Sequence, residues 1–339
     1  MKKECLILGG LVPDVYYNVS RWPDRGQDGF LSDETVVVGG CAVNMAVTAE
    51  NLGVRAHVVS CVGDDEVAKM LAEYLGRHAL SDRFVRRMEG ASGKCFVFVE
   101  PDGERTFLTQ KGAEGLFPEE LAEAILADDY AAAGVTGYYL LNDDAERIME
   151  VIEVLHERGT NILFDPSPLV GAIRRDLLKR MIDISDVMTP NVTELAVLEE
   201  AAGRTLIGED GGESEKRAED RALIREDGGE PEKKAVEIAG QELHFKSALQ
   251  EGTQENDPIL IVKNGASGGT VYTSQGNFSY EAEKCSAVDT TGAGDSFSGA
   301  LLYSMVNHLD VTDAVRLAAK CAAKTVTILG PHGFWKLED

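Results

Sequence analysis

Positive charge is scarce in this chain. Its 339 residues include 33 Lys plus Arg against 58 Asp plus Glu, a formal net charge of −25 at pH 7. A surface that acidic repels phosphate backbones and anionic lipid, so neither nucleic acid nor a membrane surface is expected as a partner. Long apolar runs are missing too: none approaches the roughly 18 residues of a membrane-spanning helix. The opening MKKECLILGG carries two lysines, but its apolar stretch is short and Pro13 and Asp14 follow at once, unlike a secretory signal. Paired cysteines are absent. Cys5, Cys41, Cys61, Cys95, Cys285 and Cys321 contain no CxxC and mostly sit singly in apolar segments, which disfavours a zinc cluster or a disulfide framework. Reduced thiols of this kind suit the cytoplasm. Two phosphate-handling machineries are also missing: there is no GxxxxGK[ST] and no HRD or DFG set.

What is present is enough for a large core: 44% of the residues are hydrophobic, which excludes global disorder. Short apolar runs alternate with amphipathic stretches. CLILGG, HVVSCVG, YYLLN, NILFDP and ILIVKNG read as buried strands, and VAKMLAEYLGRH, AERIMEVIEVLHERG and LAVLEEAAG read as helices. Such alternation predicts a parallel sheet with helices on both faces, whose ligands collect at the carboxyl ends of the strands. Those ends fall at Gly9, Gly63, Asn142, Asp165, Asn191 and Gly265.

Two segments break the rhythm. Residues 12–38 are β-like and polar, and KCFVFVEPDGERTFL reads as a hairpin turning at Asp102-Gly103. Together 12–38 and 93–110 are expected to form a small β lid, with 1–11, 39–92 and 111–339 as the α/β domain. Residues 205–256 are acidic and hold a tandem repeat, LIGEDGGESEKRAEDRA then LIREDGGEPEKKAVEIA. Two copies are too few for a solenoid, so this insert is expected as a surface excursion.

Chemistry concentrates in AVDTTGAGDSFSGALLYSMV (287–306). A β-like approach ends at Asp289, the turn Gly292-Ala293-Gly294 follows, then Asp295 and a helix. Backbone N–H groups at a helix N-terminus lack intrahelical partners and, with the helix dipole, make an anion pocket. A carboxylate held there needs a task, and taking a proton from an attacking hydroxyl is the obvious one. In VVVGGCAVNMAVTAENLG (36–53), Gly39-Gly40 ends a strand, and Asn44 lies in the first helical turn, where its amide can both donate to and accept from a sugar hydroxyl.

Together the two segments resemble the signatures of the PfkB (ribokinase-like) carbohydrate kinase family: GG-x₃-N-x-A near the start and DTTGAGD near the end, about 250 residues apart. The resemblance covers nearly the whole chain except the insert. It implies a three-layer sandwich with a mainly parallel central sheet and a β lid, and an ATP-dependent kinase. It also implies that Asp295 is the general base, and that the amides of Gly292, Ala293 and Gly294 stabilise the transferred phosphoryl group. Asp14, Gly39, Gly40 and Asn44 would hold the acceptor. TPNVTELAVL resembles the family's NxxE element, so Asn191 and Glu194 would hold Mg²⁺ and nucleotide through water, although alone the pair reads as a helix cap. KNGASGG resembles the nucleotide loop, with Lys263, Gly265 and Gly268. Asp289 and Thr291, with backbone near Thr325, Ile328 and Gly330, match a monovalent cation site, K⁺ in kind. Cys41 departs from the Lys, Ser or Ala that some members carry.

The expected acceptor is a small sugar of the ribose, fructose or keto-sugar class. A nucleoside is the alternative, with Tyr16, Tyr17, Phe96, Phe98 and Phe107 as candidates for a base slot. A phosphorylated sugar would need basic residues, of which Arg105 and Lys111 are obvious. A non-catalytic sugar-binding regulator is the third reading. The lid is expected to pack on a second subunit's lid, giving a homodimer.

Overall fold

The Val- and Ile-rich runs form the middle of one sheet. The computed structural model describes residues 2–207 and 258–335. From one edge to the other the sheet runs β5 (Ser81–Arg87), β4 (Arg55–Val62), β1 (Lys2–Leu8), β8 (Tyr130–Thr136), β9 (Asn161–Asp165), β10 (Val187–Met188), β11 (Ile259–Lys263), β12 (Gly269–Thr273) and β13 (Gly276–Tyr280). All neighbours are parallel as far as β11, and β12 and β13 are antiparallel additions at the edge. Successive side chains of a strand point to opposite faces, so each strand feeds two cores. Cys5 and Ile7 enter one, Leu6 and Leu8 the other; Ile259 and Ile261 enter the first, Leu260 and Val262 the second.

Helices cover both faces. On the first lie α1 (Cys41–Asn51), α2 (Glu66–Arg77), α7 (Ala293–Asn307) and α8 (Val311–Val326); on the second lie α3 (Glu119–Leu126), α4 (Ala145–Glu157), α5 (Arg175–Ile184) and α6 (Val192–Ala202). Each fully buried Leu or Ile contributes about 1.5–3 kcal/mol of transfer free energy. This is the expected three-layer sandwich.

A second sheet stands apart, with strand order β3 (Leu31–Gly39), β2 (Val12–Val19), β6 (Lys94–Val99), β7 (Arg105–Gln110). Asp102-Gly103 turns β6 into β7, with Gly103 at φ 90° and Glu100 paired to Glu104. Register puts Asp14, Tyr16, Cys95, Val97, Arg105 and Phe107 on one face of this sheet. Val36, Val15, Phe96 and Leu108 form a row across the other.

One expected strand is wrong. YYLLN falls in a 3₁₀ turn, Gly137–Leu141, and the strand is the preceding YAAAGVT. That strand consists of small residues because α7 packs directly on it: a Cβ on Gly134 would lie 2.8 Å from a Leu302 methyl. Alanine gives little strand signal, while the Tyr and Leu that follow give a false one. The strand end therefore falls at Thr136, not Asn142. The tandem repeat lies outside the described residues from 208 onward. Its first two residues, Leu206 and Ile207, belong with the second core, and the Leu206 amide donates to Glu199 Oε1 at 3.1 Å.

Candidate active site

The turn before α7 can only be built on glycine. Gly292 caps the helix at φ 75°, and a Cβ there would sit 1.8 Å from the Pro331 carbonyl oxygen. The helix thus starts at Ala293, with Asp295 in its first turn. The Ala293 amide turns back to Thr290 O at 3.3 Å, whereas the next amides of the turn have no partner within the helix.

Asp295 is held from across the fold. Asn44, in the first turn of α1, donates from Nδ2 to Asp295 Oδ2 at 2.7 Å. Hydroxyls fasten the helices beneath it: Thr48 and Thr325 both donate to Ser296 Oγ, at 3.0 and 2.9 Å. Burial raises the Asp295 pKa, Asn44 and Lys263 oppose the shift, and the Asp165 charge adds to it. A carboxylate made harder to keep ionised is a stronger base.

Asp14 reaches the same place from β2. Gly39 makes room for it, since a Cβ there would lie 2.2 Å from Asp14 Oδ2. Burial, then the charges of Asp295 and Asp289, push its pKa up to about 7. Cys41 opens α1 beside these carboxylates, and burial pushes its thiol well above the usual range.

Lys263 stands at the end of β11, and its Nζ lies 3.2 Å from Asp165 Oδ2 and 3.5 Å from where a Gly294 Cβ would be. The ammonium therefore overlooks the turn itself. Ser298 of α7 also donates to Asp165 Oδ2, at 2.7 Å. Sequence reasoning left Asp165 out of the site, although its place at the carboxyl end of a buried strand was a usable signal. Beyond Lys263, Gly265–Ser267 form a 3₁₀ turn closed by the Asn264 amide on Gly268 O at 2.8 Å.

Asn191 and Glu194 form a reciprocal capping box on α6. Asn191 Oδ1 accepts from the Glu194 amide at 2.9 Å, and Glu194 Oε2 accepts from the Asn191 amide at 2.8 Å. The cap reading holds, and the backbone of Asn191 forms an isolated parallel bridge with that of Lys263. Burial raises the Glu194 pKa, and Lys263 partly offsets it.

Asp289 is fully enclosed. Its Oδ1 accepts the Thr291 amide at 2.9 Å and its Oδ2 the Gly330 amide at 3.0 Å. The Arg105 guanidinium from β7 completes the set at 3.1 Å. His332 was not foreseen either. Its Nδ1 lies 2.6 Å from Asn44 Oδ1, and its Nε2 meets the Tyr74 hydroxyl. Asn44 must donate to Asp295, so its Oδ1 faces His332. An amide oxygen only accepts, so Nδ1 carries the proton and Nε2 receives Tyr74.

Comparisons with known proteins give the family and the fold. The model of the pfkB family carbohydrate kinases matches residues 2–230 and 231–334. The chain belongs to the PfkB family of carbohydrate kinases. It is therefore a phosphotransferase that acts on hydroxyl acceptors. An uncharacterised sugar kinase of Escherichia coli K12, YegV, is 27% identical over 325 residues, covering 96% of this chain and 89% of that protein. Two solved structures share the ribokinase-like fold. Arabidopsis thaliana ribokinase complexed with ribose and ATP has a TM-score of 0.70 at 20% identity, covering 97% of this chain and 94% of that one. Burkholderia thailandensis nucleoside kinase in complex with inosine has a TM-score of 0.70 at 20% identity, covering 97% and 93%. Among the described residues no helix is long and apolar enough to cross a membrane, and no cluster of three or more His, Cys, Asp or Glu is placed to hold a metal ion.

Proposed function

We propose that this PfkB kinase transfers the γ-phosphoryl group of ATP to a hydroxyl of a small unphosphorylated sugar of the ribose, fructose or keto-sugar class. The observation that carries the reading is the meeting of Asp14, Asn44 and Asp295 at the N-terminus of α7. Asp295 takes the proton of the attacking hydroxyl. The amides of Gly292 and Gly294 face the developing phosphoryl charge, that of Ala293 being turned back to Thr290, and Lys263 adds a positive charge beside Gly294. Asp14 and Asn44 hold neighbouring hydroxyls. With a pKa near 7, Asp14 can both donate and accept at neutral pH.

Hydrated Mg²⁺, when bound with ATP, neutralises phosphate charge. Glu194 and Asn191 suit it as ligands through water. The Glu194 carboxylate is buried with a raised pKa, a state that a nearby cation relieves.

Three features disfavour the alternatives. Register places Tyr17, Phe96 and Phe98 on the face of the lid away from Asp14, leaving Tyr16 and Phe107 as the aromatic candidates for a base slot. The basic residues that a phosphosugar would need are already engaged: Arg105 with Asp289, and Lys111 Nζ with Leu141 O at 2.8 Å. The intact Asp295 turn argues against a non-catalytic regulator. The apolar row Val36, Val15, Phe96 and Leu108, with Val36 and Leu108 exposed at its ends, supports a lid-to-lid homodimer. A cytoplasmic location fits the scattered cysteines, all six free.

A panel of sugars, nucleosides and sugar phosphates with ATP-Mg²⁺, read by ADP release, tests the assignment. Free pentoses or hexoses should give the highest kcat/KM; a nucleoside or sugar phosphate ranking first would overturn it.

A further inference from the structure

The residues present do not suit the monovalent ion that the sequence resemblance implied beside the anion turn. Asp289 is the one side chain at that position with a formal charge, and it is already neutralised. Its two oxygens accept the Thr291 and Gly330 amides, and Arg105 Nη2 lies 3.1 Å from Oδ1. The Asp289 side chain has no exposed surface and that of Arg105 only 15%. The guanidinium also reaches the Val288 carbonyl at 3.5 Å and, through Nη1, its own turn at Gly103 O, 3.2 Å away. The Thr325 carbonyl accepts the Ile328 amide. A metal ion added here would meet a fixed positive charge across a poorly solvated gap, with little negative charge left to draw it.

We propose that Arg105 is the built-in cation of the 289–295 turn, and that this kinase needs no monovalent metal ion. Asp289 ties the turn together by holding the amides of Thr291 and Gly330, so its charge must be balanced for the turn to keep its shape. Arginine suits the task because its planar fork stays charged at every working pH. It differs from an ion in being covalently part of the lid strand β7, so the balancing charge arrives with the lid. Removing it leaves a buried carboxylate unpaired, the situation in which a small cation gains most.

The experiment reads thermal melting in KCl against tetramethylammonium chloride at equal ionic strength, which needs no knowledge of the acceptor. The wild-type midpoint should be the same in both salts. Arg105→Gln should melt lower in tetramethylammonium and recover as KCl is raised, along the saturating curve of a ligand that binds only the folded state. Arg105→Lys should remain indifferent to KCl. A wild-type midpoint that climbs with KCl but not with tetramethylammonium overturns the proposal. So does an Arg105→Gln protein as stable and as salt-indifferent as wild type. If Arg105→Gln does not fold in tetramethylammonium, folding regained in KCl supports the proposal and no recovery counts against it. Turnover under the same salts should follow the same pattern, with at least a tenfold rescue of Arg105→Gln by KCl. Absence of turnover in every salt would remove the kinase reading and leave the melting result standing.

Discussion

The side chains of Asn44 and Asp295, 251 positions apart in the chain, meet at 2.7 Å. The contact joins the first turn of α1 to the first turn of α7, the two turns to which the proposed function gives the acceptor and the phosphoryl group. It holds the Asp295 carboxylate in one orientation; in the function proposed above, the carboxylate so held receives the proton of the incoming hydroxyl.

Replacing that carboxylate should separate binding from chemistry. Asp295→Asn keeps the shape of the side chain and removes its basicity. Turnover should fall by about 10²–10⁴-fold, the usual contribution of a general base, with ATP affinity unchanged. Steady-state kinetics and nucleotide titration together decide this; a variant within a few-fold of wild-type kcat rules out Asp295 as the base.

Asp14 should trade stability for affinity. Its folded pKa of about 7 lies above the ordinary 3.8, so the folded state holds its proton more tightly than the unfolded chain does. Its contribution to stability is present at low pH and is lost as pH rises through 7. Asp14→Asn should therefore raise the melting temperature at pH 8. The same change should raise the acceptor KM by roughly 10–100-fold, as loss of a hydrogen bond to a charged group does. A melting temperature at pH 8 that is unchanged or lowered would show that the carboxylate is not strained in the fold.

His332 should carry the opposite pH signature. Burial lowers its pKa to about 4 from 6.5, so it stays neutral in the folded protein where the unfolded chain would take a proton. Its share of stability is complete above pH 6.5 and declines as pH falls toward 4. Between pH 7.5 and 5 this amounts to about 2 kcal/mol. His332→Asn should flatten that part of the stability curve, measured by denaturant titration at each pH. It should also lower kcat by up to about tenfold, because one hydrogen bond that orients Asn44 is lost. Parallel curves for wild type and variant would show that His332 titrates freely.

Leu108 tests the assembly. It is 54% exposed at the end of the apolar row on the outer face of the lid. Wild type should sediment as a dimer at micromolar concentration and Leu108→Asp as a monomer. A monomeric wild type removes the lid-to-lid dimer.

The parts of the site legible in the sequence are those that backbone geometry demands. Gly292 and Gly39 are where a side chain cannot fit, and Asp102-Gly103 is a turn before any tertiary contact forms. The alternating strands announced the sandwich for the same local reason. What escaped depends on contacts between distant segments. Arg105 meets Asp289 from the lid sheet, and His332 meets Asn44 from 288 positions away. Lys263 opens the KNGASGG loop, and its long side chain returns to Asp165 and toward Gly294, a direction no local pattern specifies. The Ala-rich β8 was hidden because its residues were set by the helix above it rather than by strand preference.

That same strand divides the protein into parts with different freedom to evolve. The floor beneath α7 is closely filled: a methyl at Gly134 would lie 2.8 Å from a Leu302 methyl, so that side chain would have to turn aside. Leu302 belongs to α7, the helix that begins at the Gly292–Gly294 turn. The inner face of the lid is unevenly constrained: Asp14 and Arg105 are tied to the residues beneath them, whereas Phe107 on the same face is 48% exposed. Under the proposed function, acceptor preference can thus drift at exposed lid positions such as Phe107 while Asp14 and Arg105 in the same sheet stay fixed.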